Sequence, residues 1–392
     1  MVVNYDLKPE DQLLLNCSLT QLSGENIKRI KQLTNQDLDW NYLINMAREH
    51  RLSPLLYWHL NRISPEAIPG DLKLELKEHF QRNVQKNLMM FKELLEVVNI
   101  LQKEGIVPIP YKGPVLAILI YKNLGFRIFG DLDFYVPLED VPKTREILVK
   151  EGYEPWEELT SNQERSFYKF QREYHFINRS TGINLEIKWK FLSTLIPTSK
   201  ELIFQEKEFF KEVNLDQFKV KTISPEYLIL ILSTHNASHS FSSLYLFCDI
   251  SEIIKSEDTI NWHHLKEAAS ALGVKRILIV NLYILRELFL IELPDDMLRF
   301  IESDKNTVNI SKGIINRLFR SKPMGIMEKT FFHMKLRETK GNKIKALFNM
   351  VLLPTPIVIE SISLPRGFEF SYFFIQFFQT SKHIISVFLK DK

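Results

Sequence analysis

The chain has 392 residues, 45% of them hydrophobic and 25% charged, a composition ordinary for a globular protein long enough for more than one core. The formal net charge of +3 argues against a dedicated nucleic-acid binder, and two cysteines without CxxC spacing exclude a cysteine zinc site. The N-terminus does not have the pattern of a secretion signal, and the longest uncharged stretch, residues 227–248, is too polar for a membrane span. We therefore expect a cytoplasmic protein with no transmembrane segment.

The N-terminal region is predicted to be helical over residues 26–104. Apolar residues between Leu88 and Leu101 recur at spacings of three and four, as one face of a helix requires, and Gly105 ends this helix. Residues 106–110 are few and contain two prolines, which fits an edge strand, where a missing amide is tolerated.

Alternating elements are predicted next. A turn at Lys112 and Gly113 precedes a helix that Pro114 is suited to open. A strand over residues 126–136 follows, and then a helix from Asp140 to about residue 150.

Two strand-like segments, 174–178 and 183–189, complete the central region, and helices resume at Ser224. This order of elements predicts an α+β fold with a small mixed sheet. The predicted division is an N-terminal helical region (1–85), a core with the sheet (86–222) and a C-terminal helical domain with an aromatic tail (223–392).

One internal repeat is visible at an offset of 222 residues. Both copies are predicted to form a helix, a short break and a second helix, which indicates two similar helical hairpins or a repeated ligand site. The matching residues are Trp40, Leu43, Ala47, Leu52, Leu55 and Leu60 in one copy and Trp262, Leu265, Ala269, Val274, Ile277 and Leu282 in the other.

Two acids, Asp131 and Asp133, interrupt the apolar strand predicted over 126–136. Because side chains alternate between the faces of a strand, both carboxylates project from one face while Leu132 and Phe134 point into the core. At a separation of about 7 Å or less, the two charges repel by roughly 2–3 kcal/mol at an effective dielectric near 20. A cation between them would relieve this repulsion, so the pair is a candidate divalent-metal site.

Cationic residues flank this pair. The turn at Lys112 and Gly113 exposes backbone amides and a mobile positive charge where a phosphate is favoured, although an ordinary tight turn with an exposed lysine is the alternative. Arg127 lies four residues before Asp131, hence on the same face of an unbroken strand. It could neutralise a phosphate or pair with an aspartate.

A third acid, Glu186, interrupts a second apolar strand, in which alternate residues form the core face, so that Glu186 and Lys188 share the opposite face. A lone glutamate on a strand is usually exposed to solvent. Beside the two aspartates it would complete a two-metal site for Mg²⁺, which takes few protein carboxylates and obtains its other ligands from water and substrate phosphates.

Taken in chain order, the basic turn, the two aspartates and the strand glutamate resemble the DNA polymerase β-like nucleotidyltransferase superfamily. Within it, they resemble the branch named uncharacterised nucleotidyltransferase. The resemblance covers roughly residues 25–290, and residues 353–380 resemble the tail of that branch. Its quoted parts are 39–40, 48–55, Lys112 and Gly113, Arg127, 130–136, Glu186 before Trp189, 224–226, His235, His239, Asp249 and 261–262.

The resemblance implies transfer of a nucleoside monophosphate from a nucleoside triphosphate such as ATP, with pyrophosphate leaving. Asp131 and Asp133 would bind Mg²⁺ against the triphosphate, and Glu186 would hold a second metal ion or orient the attacking hydroxyl. Residues implied to contact the nucleotide are Lys112, Gly113, Arg127 and Lys188. Lys188 departs from the branch, which often has histidine at this position.

Two histidines, His235 and His239, lie four residues apart on a predicted helix and therefore share a face. A metal site, a contact with substrate or nucleotide, and a buried structural pair bonded to neighbouring helices all remain open, and Asp249 is a further candidate substrate contact. The tail over residues 366–389 is predicted to be a helix, apolar around most of its circumference. We expect it to be buried against the helical bundle, with docking on a membrane surface or a partner as the alternative.

The leading hypothesis is a magnesium-dependent nucleotidyltransferase that acts on a hydroxyl of a small molecule or protein. The rival is a catalytically inactive nucleotidyltransferase fold that serves as an interaction protein. Other phosphotransferase classes are disfavoured because no GxxxxGK[ST] segment is present. Because the charge is near neutral and no basic-aromatic track is present, we expect no nucleic-acid template.

Overall fold

The computed structural model describes residues 6–192, 208–256, 260–320 and 324–390. Over these ranges the protein is α+β, as predicted, with a mixed five-stranded sheet and a separate two-stranded sheet in the central part of the chain. Helices precede and follow the sheets along the chain.

The N-terminal helices are α1 (Pro9–Asn16), α2 (Gly24–Leu33), α3 (Trp40–Glu49), α4 (Ser53–Ile63) and α5 (Gly70–Lys103). Their starts follow from local capping, since the Ser23 and Asp39 side chains accept hydrogen bonds from the backbone amides of Asn26 and Tyr42. The predicted domain boundary after residue 85 falls inside α5, a continuous helix of 34 residues. The division into domains stays a prediction.

In the described part of the chain, the strands all lie in the central region, together with three α-helices. The strands are β1 (Ile109–Pro110), β2 (Asp131–Tyr135), β3 (Tyr153–Pro155), β4 (Glu173–Asn178), β5 (Asn184–Lys188), β6 (Phe210–Leu215) and β7 (Phe218–Ile223). The helices are α6 (Pro114–Leu119), α7 (Val141–Lys150) and α8 (Ser161–Phe170). The large sheet has the order β1-β2-β5-β4-β3, in which only the β2–β5 pair is parallel, and β6 and β7 form an antiparallel hairpin.

Strand β1 lies at the edge of the sheet, as its prolines predicted. The prediction of one strand over 126–136 is wrong at its start, because pairing begins only at Asp131. The preceding backbone is held instead by α5: the carbonyl of Arg127 accepts hydrogen bonds from the side-chain amides of Asn83 and Asn87. Side-chain donors therefore replace the strand ladder that these residues would otherwise form.

The C-terminal helices begin after β7. They are α9 (Pro225–Ser238), α10 (Leu244–Ser256), α11 (Trp262–Leu272), α12 (Lys275–Phe289), α13 (Asp295–Glu302), α14 (Lys305–Leu318), α15 (Ile326–Lys335), α16 (Lys340–Leu352), α17 (Pro356–Ser361) and α18 (Ser371–Lys390). In the described part of the chain, none of the helices has both the length and the apolar content that a membrane crossing requires.

The internal repeat corresponds to two helical hairpins, α3–α4 and α11–α12, as predicted. Both begin with the same cap, because Asn261 accepts a hydrogen bond from the amide of His264 as Asp39 does from Tyr42. Seven of the twelve matched side chains are fully buried, namely Leu43, Ala47, Leu60, Leu265, Ala269, Ile277 and Leu282. The repeat is therefore explained by core packing.

The aromatic tail is only partly buried, so the expectation of burial against the bundle is half right. Tyr372 in α18 is fully buried, but Phe374, Phe377 and Phe378 are exposed to solvent. The predicted tail also includes the side chains of residues 383–389, which lie outside the described residues.

Candidate active site

The candidate residues from the sequence come together around one cavity of about 310 Å³. Its walls come from the large sheet, from α9 and α10 and from the loop between α3 and α4. The candidate residues in its lining are Lys112, Gly113, Arg127, Asp131, Asp133, Glu186, Lys188, His235, His239 and Asp249. Positions 137 residues apart in sequence, from Lys112 to Asp249, thus share a single space.

The three acids occupy neighbouring strands. Asp131 and Asp133 project from one face of β2. Leu132, which lies between them, and Phe134, which follows them, are fully buried in the core. Asp133 is paired in register with Glu186 across the parallel β2–β5 ladder, which places the third acid beside the pair. Alternation along each strand and the register between strands therefore explain why the acids converge.

Lysines hold Asp133 from two sides. Its Oδ1 atom lies 3.4 Å from the Nζ of Lys112 and 3.3 Å from the Nζ of Lys188. Burial alone would raise the pKa of Asp133, but the charges of the two lysines lower it below the ordinary aspartate value. Asp133 is therefore ionised at neutral pH.

Asp131 has a different environment. Among the described residues, no side chain donates a hydrogen bond or forms an ion pair with its carboxylate. Burial and the neighbouring charge of Asp133 raise the pKa of Asp131. Asp131 is therefore the carboxyl group of the pair that loses its proton less readily.

Two residues that the sequence analysis did not single out, Glu173 and His175, extend the acidic cluster. They lie on β4 directly opposite Lys188 and Glu186. The Nε2 of His175 is 3.7 Å from Glu186, and the ammonium of Lys188 contacts both Glu173 and Glu186. His175 lay within the strand predicted over 174–178 and Glu173 directly before it, but placing them beside Glu186 required the β4–β5 register.

Arg127 forms its ion pair with a carboxylate other than the paired aspartates. Its Nε and Nη2 atoms donate to the two carboxylate oxygens of Asp249 on α10, at 2.8 and 2.9 Å, and the Tyr121 hydroxyl donates to the same carboxylate at 2.8 Å. Of the two interpretations open for Arg127, the structure shows pairing with an aspartate, although not with Asp131 or Asp133. The role predicted for Asp249 in substrate contact stays a prediction.

The two histidines lie at the C-terminal end of α9, with ring centroids 4.6 Å apart. Among the described residues, neither ring makes a hydrogen bond with protein, and His239 is exposed to solvent. Burial and the nearby charge of Lys112 lower the pKa of His235 well below its ordinary value, so this ring is neutral at pH 7. Rings bonded to neighbouring helices, one of the predicted alternatives, are not observed.

Two arginines, Arg51 and Arg172, complete the lining of the cavity. Arg51 comes from the loop between α3 and α4, has a left-handed backbone with a φ of 56° and lies over the ring of Tyr245 at 4.9 Å. Arg172 pairs with Glu173 at 2.8 Å. Arg51 appeared in the sequence analysis only within the resemblance, because no local sequence pattern indicates that this residue reaches the sheet.

Gly113 is the position where backbone conformation matters most. Its φ is 51° and its ψ is −123°, a region that residues with a side chain avoid, and a Cβ there would lie 3.1 Å from the carbonyl oxygen of Asp131. We expect Gly113→Ala to destabilise the protein by about 1–3 kcal/mol, measured by urea unfolding. Gly130→Ala is the matched control, because a Cβ at Gly130 meets nothing within 4 Å. Equal losses in both variants would contradict this reading.

Glu173 should contribute stability that depends on pH. Burial alone would raise its pKa, but Lys188 and then Arg172 lower it from 4.5 to about 2. Because the folded-state pKa is depressed, the contribution is present above pH 4.5 and is lost as the pH falls towards 2. We expect Glu173→Gln to lose up to about 3 kcal/mol of unfolding free energy at pH 7 and progressively less below pH 4.5. A difference from wild type that stays constant between pH 7 and pH 3 would contradict the assignment.

Comparison with known proteins gives one match. A family described as uncharacterised nucleotidyltransferase matches residues 36–290, a range that contains every residue lining the cavity. The match does not extend to residues 353–380, where the sequence resembled the tail of this branch. No curated protein and no solved structure matches the chain.

Proposed function

This chain belongs to the uncharacterised nucleotidyltransferase family, and from that membership and the geometry of its cavity we propose that it is a magnesium-dependent nucleotidyltransferase. It moves a nucleoside monophosphate from a nucleoside triphosphate, such as ATP, to a hydroxyl of a small molecule or protein. The observation that carries the proposal is the convergence of Asp131, Asp133 and Glu186 with Lys112 on one cavity.

The donor set fits magnesium. Asp131 offers carboxylate oxygens without a protein partner among the described residues, and Asp133 offers Oδ2, because its pairs with lysine are made through Oδ1. Both side chains project from the same face of β2. Two carboxylates and substrate phosphates are the ligands that Mg²⁺ commonly takes in proteins. When bound, the ion would neutralise phosphate charge that develops as pyrophosphate leaves.

The protein groups position the reactants. Lys112 lies at the turn where Gly113 allows a close approach to the backbone of Asp131, and its ammonium can pair with a phosphate oxygen of the triphosphate. Glu186 is held by Lys188 and His175, and burial raises its pKa, which suits it to orient the acceptor hydroxyl and take its proton.

The reaction balances without a covalent intermediate. The acceptor oxygen forms a bond to the α-phosphorus, and the bond between that phosphorus and pyrophosphate breaks. The hydroxyl proton passes to Glu186. Most of the rate enhancement would then come from alignment and charge neutralisation.

The exposed face of the cavity suits the acceptor. His235 and His239 lie at the C-terminal end of α9 with ring nitrogens that no described residue engages, and Arg51 reaches the same space. We assign these three side chains to contacts with the acceptor or the base. Whichever of the two Arg51 contacts must offer a hydrogen-bond acceptor, because a guanidinium only donates.

The test uses triphosphates labelled at the α- or the γ-phosphate, supplied with Mg²⁺ and a lysate extract as acceptor source. Transfer of the α-label alone, with pyrophosphate released, is expected for wild type. The variant carrying both Asp131→Asn and Asp133→Asn is expected to transfer neither label. Transfer of the γ-label would make the protein a phosphotransferase and overturn the proposal.

Titration calorimetry separates the proposal from the rival, an inactive fold that serves as an interaction protein. Wild type is expected to show metal-dependent heat with a non-hydrolysable ATP analogue, and the double variant is expected to show none. If wild type binds neither metal nor nucleotide more tightly than the variant, the enzymatic assignment fails.

A further inference from the structure

A buried ammonium group lies within the acidic cluster of the cavity. Lys188 is 4% exposed, and its Nζ lies 3.3 Å from Oδ1 of Asp133 and contacts the carboxylates of Glu173 and Glu186 more closely. An ammonium has three hydrogen-bond donors, so three carboxylates satisfy it completely. Ion pairs with three carboxylates therefore hold the Lys188 ammonium inside the cavity, unlike the ammonium of a mobile surface lysine.

The strand register fixes this position. Lys188 lies two residues after Glu186 on the same face of β5, and it is paired in register with Glu173 on β4 and with Tyr135 on β2. The ammonium therefore lies between the acid of β2 and the acids of β4 and β5. A metal ion that bridged Oδ1 of Asp133 and Oε2 of Glu186 would compete with Nζ for the same two oxygen atoms, and two cations would then lie close together in a buried place.

We propose that the Lys188 ammonium takes the place of a second metal ion, so that the site binds a single divalent cation through Asp131 and Asp133. The proposal rests on the function proposed above and refines it, because Glu186 then acts on the acceptor and not as a metal ligand. Lys188 is a positioning residue that supplies a permanent positive charge beside Asp133.

The experiment counts metal ions directly. Mn²⁺, whose free form gives a paramagnetic resonance signal, is titrated into wild type saturated with an α,β-methylene nucleoside triphosphate. One tightly bound Mn²⁺ per complex is expected, and two would overturn the proposal. Binding of none would instead show that the proposed function fails, so the two failures are distinguishable.

Two variants sharpen the count. Lys188→Met vacates the space between the acids and is expected to raise the number of bound Mn²⁺ ions to two. Glu186→Gln is expected to leave the single ion and its affinity unchanged within about twofold, whereas loss of an ion would show that Glu186 is a ligand. If Lys188→Met does not fold, wild type and Glu186→Gln still decide the matter.

An independent observation concerns the C-terminal apolar surface, which we define as Ile344, Leu347 and Phe348 of α16 with Phe374, Phe377 and Phe378 of α18. On each helix the three residues follow the spacing i, i+3, i+4 and so form one stripe. All six side chains are exposed, Ile344 to 69% and Phe378 to 64%. The two helices are in contact, with the rings of Phe348 and Phe373 5.8 Å apart.

Charge indicates what covers this surface. A lysine lies one helical turn beyond each stripe, Lys340 before Ile344 and Lys382 after Phe378, and both are exposed. Residues 340–382 contain five lysines and arginines and two acids, a net charge of 5 − 2 = +3. A second copy of the chain would bring the same cations against each other, whereas anionic lipid headgroups complement them.

We infer that the C-terminal apolar surface docks on a bilayer that contains anionic lipid, with the phenylalanines in the boundary between headgroups and acyl chains. Aromatic stripes flanked by lysines are the composition expected of helices that lie in this boundary. The cavity is built from residues 51–249, so docking through α16 and α18 uses a different part of the chain.

The test is sedimentation of the full chain with vesicles of phosphatidylcholine, alone or mixed with phosphatidylglycerol. Binding to the mixed vesicles is expected and should fall at least tenfold for the Phe374→Ser, Phe378→Ser double variant and for Lys343→Glu, Lys345→Glu. Leu74→Ser, Met89→Ser is the control, because these side chains on α5 are similarly exposed and should not change binding.

Other outcomes identify a different occupant. Failure of wild type to bind the mixed vesicles overturns the inference. So does an oligomer, seen by analytical ultracentrifugation, that the Phe374→Ser, Phe378→Ser variant abolishes, because the surface would then be a self-interface.

Discussion

Asp131→Asn is expected to lower the rate of nucleotidyl transfer by roughly 10²–10³-fold while leaving the protein folded and more stable than wild type. The loss follows because no described residue forms an ion pair with the Asp131 carboxylate, so its oxygens are available to the metal ion, whose stabilisation of the transition state is worth several kcal/mol. The gain in stability follows because burial and the charge of Asp133 raise the pKa of Asp131. A neutral amide removes that repulsion, for an expected gain of about 0.5–2 kcal/mol without metal.

Asp133→Asn is the matched variant with the opposite expected effect on stability. It should lower the transfer rate to a similar extent, but it also removes an ionised partner from Lys112 and Lys188. Charge-assisted hydrogen bonds of this kind contribute about 1–3 kcal/mol, which the variant should lose. Urea unfolding in the presence of a chelator measures both changes. Stability changes of the same sign in the two variants would contradict the raised pKa of Asp131 and the lowered pKa of Asp133.

The acids could be predicted from the sequence because their placement depends on short-range periodicity. Alternation along a strand put Asp131 and Asp133 on one face, and the same rule applied to Glu186 on the second strand. Only the parallel pairing of β2 with β5 was then needed to bring the three together, and a small mixed sheet of few strands offers few alternatives. The edge position of β1 was likewise readable from its prolines.

The partners of these residues could not be predicted in the same way. Arg127 was expected to act beside Asp131, but it binds Asp249, 122 residues later in the chain, because the strand begins only after it. The environment of Lys188 depends on the register of β4, which no local signal specifies. Packing of α10 on the sheet decides the first case and pairing between strands decides the second. Both are long-range contacts, on which local sequence patterns contain no information.

The C-terminal tail is another case in which long-range packing could not be predicted from the sequence. A helix with apolar residues around most of its circumference predicted burial, and the pattern identified the helix α18 correctly. Which apolar side chains are covered depends on how many neighbouring helices pack against α18. The helices that pack against α18 bury Tyr372 but leave Phe374 and Phe378 exposed.

Arg127→Met is expected to destabilise the protein by about 3–5 kcal/mol, the largest loss among the variants considered. Arg127 is 7% exposed and Asp249 is fully buried, so removing Arg127 leaves a buried carboxyl group whose remaining side-chain partner, among the described residues, is the Tyr121 hydroxyl. Arg82→Met is the matched control, because Arg82 pairs with Glu78 on the surface of α5 at 3.5 Å and should lose less than about 1 kcal/mol.

A second substitution tests the cause of that loss. In the double variant Arg127→Met, Asp249→Leu, neither charge of this buried ion pair remains. Most of the stability should therefore return, as it does when a buried ion pair is replaced by apolar groups of similar volume. Activity should not return with it, because the ion pair connects the segment leading into Asp131 to α10 across the cavity. Unfolding free energies from urea titration and transfer rates of the same preparations separate the two effects. If Arg127→Met costs no more than Arg82→Met, the pair does not hold the sheet and the C-terminal helices together, and the cavity owes its shape to apolar packing alone.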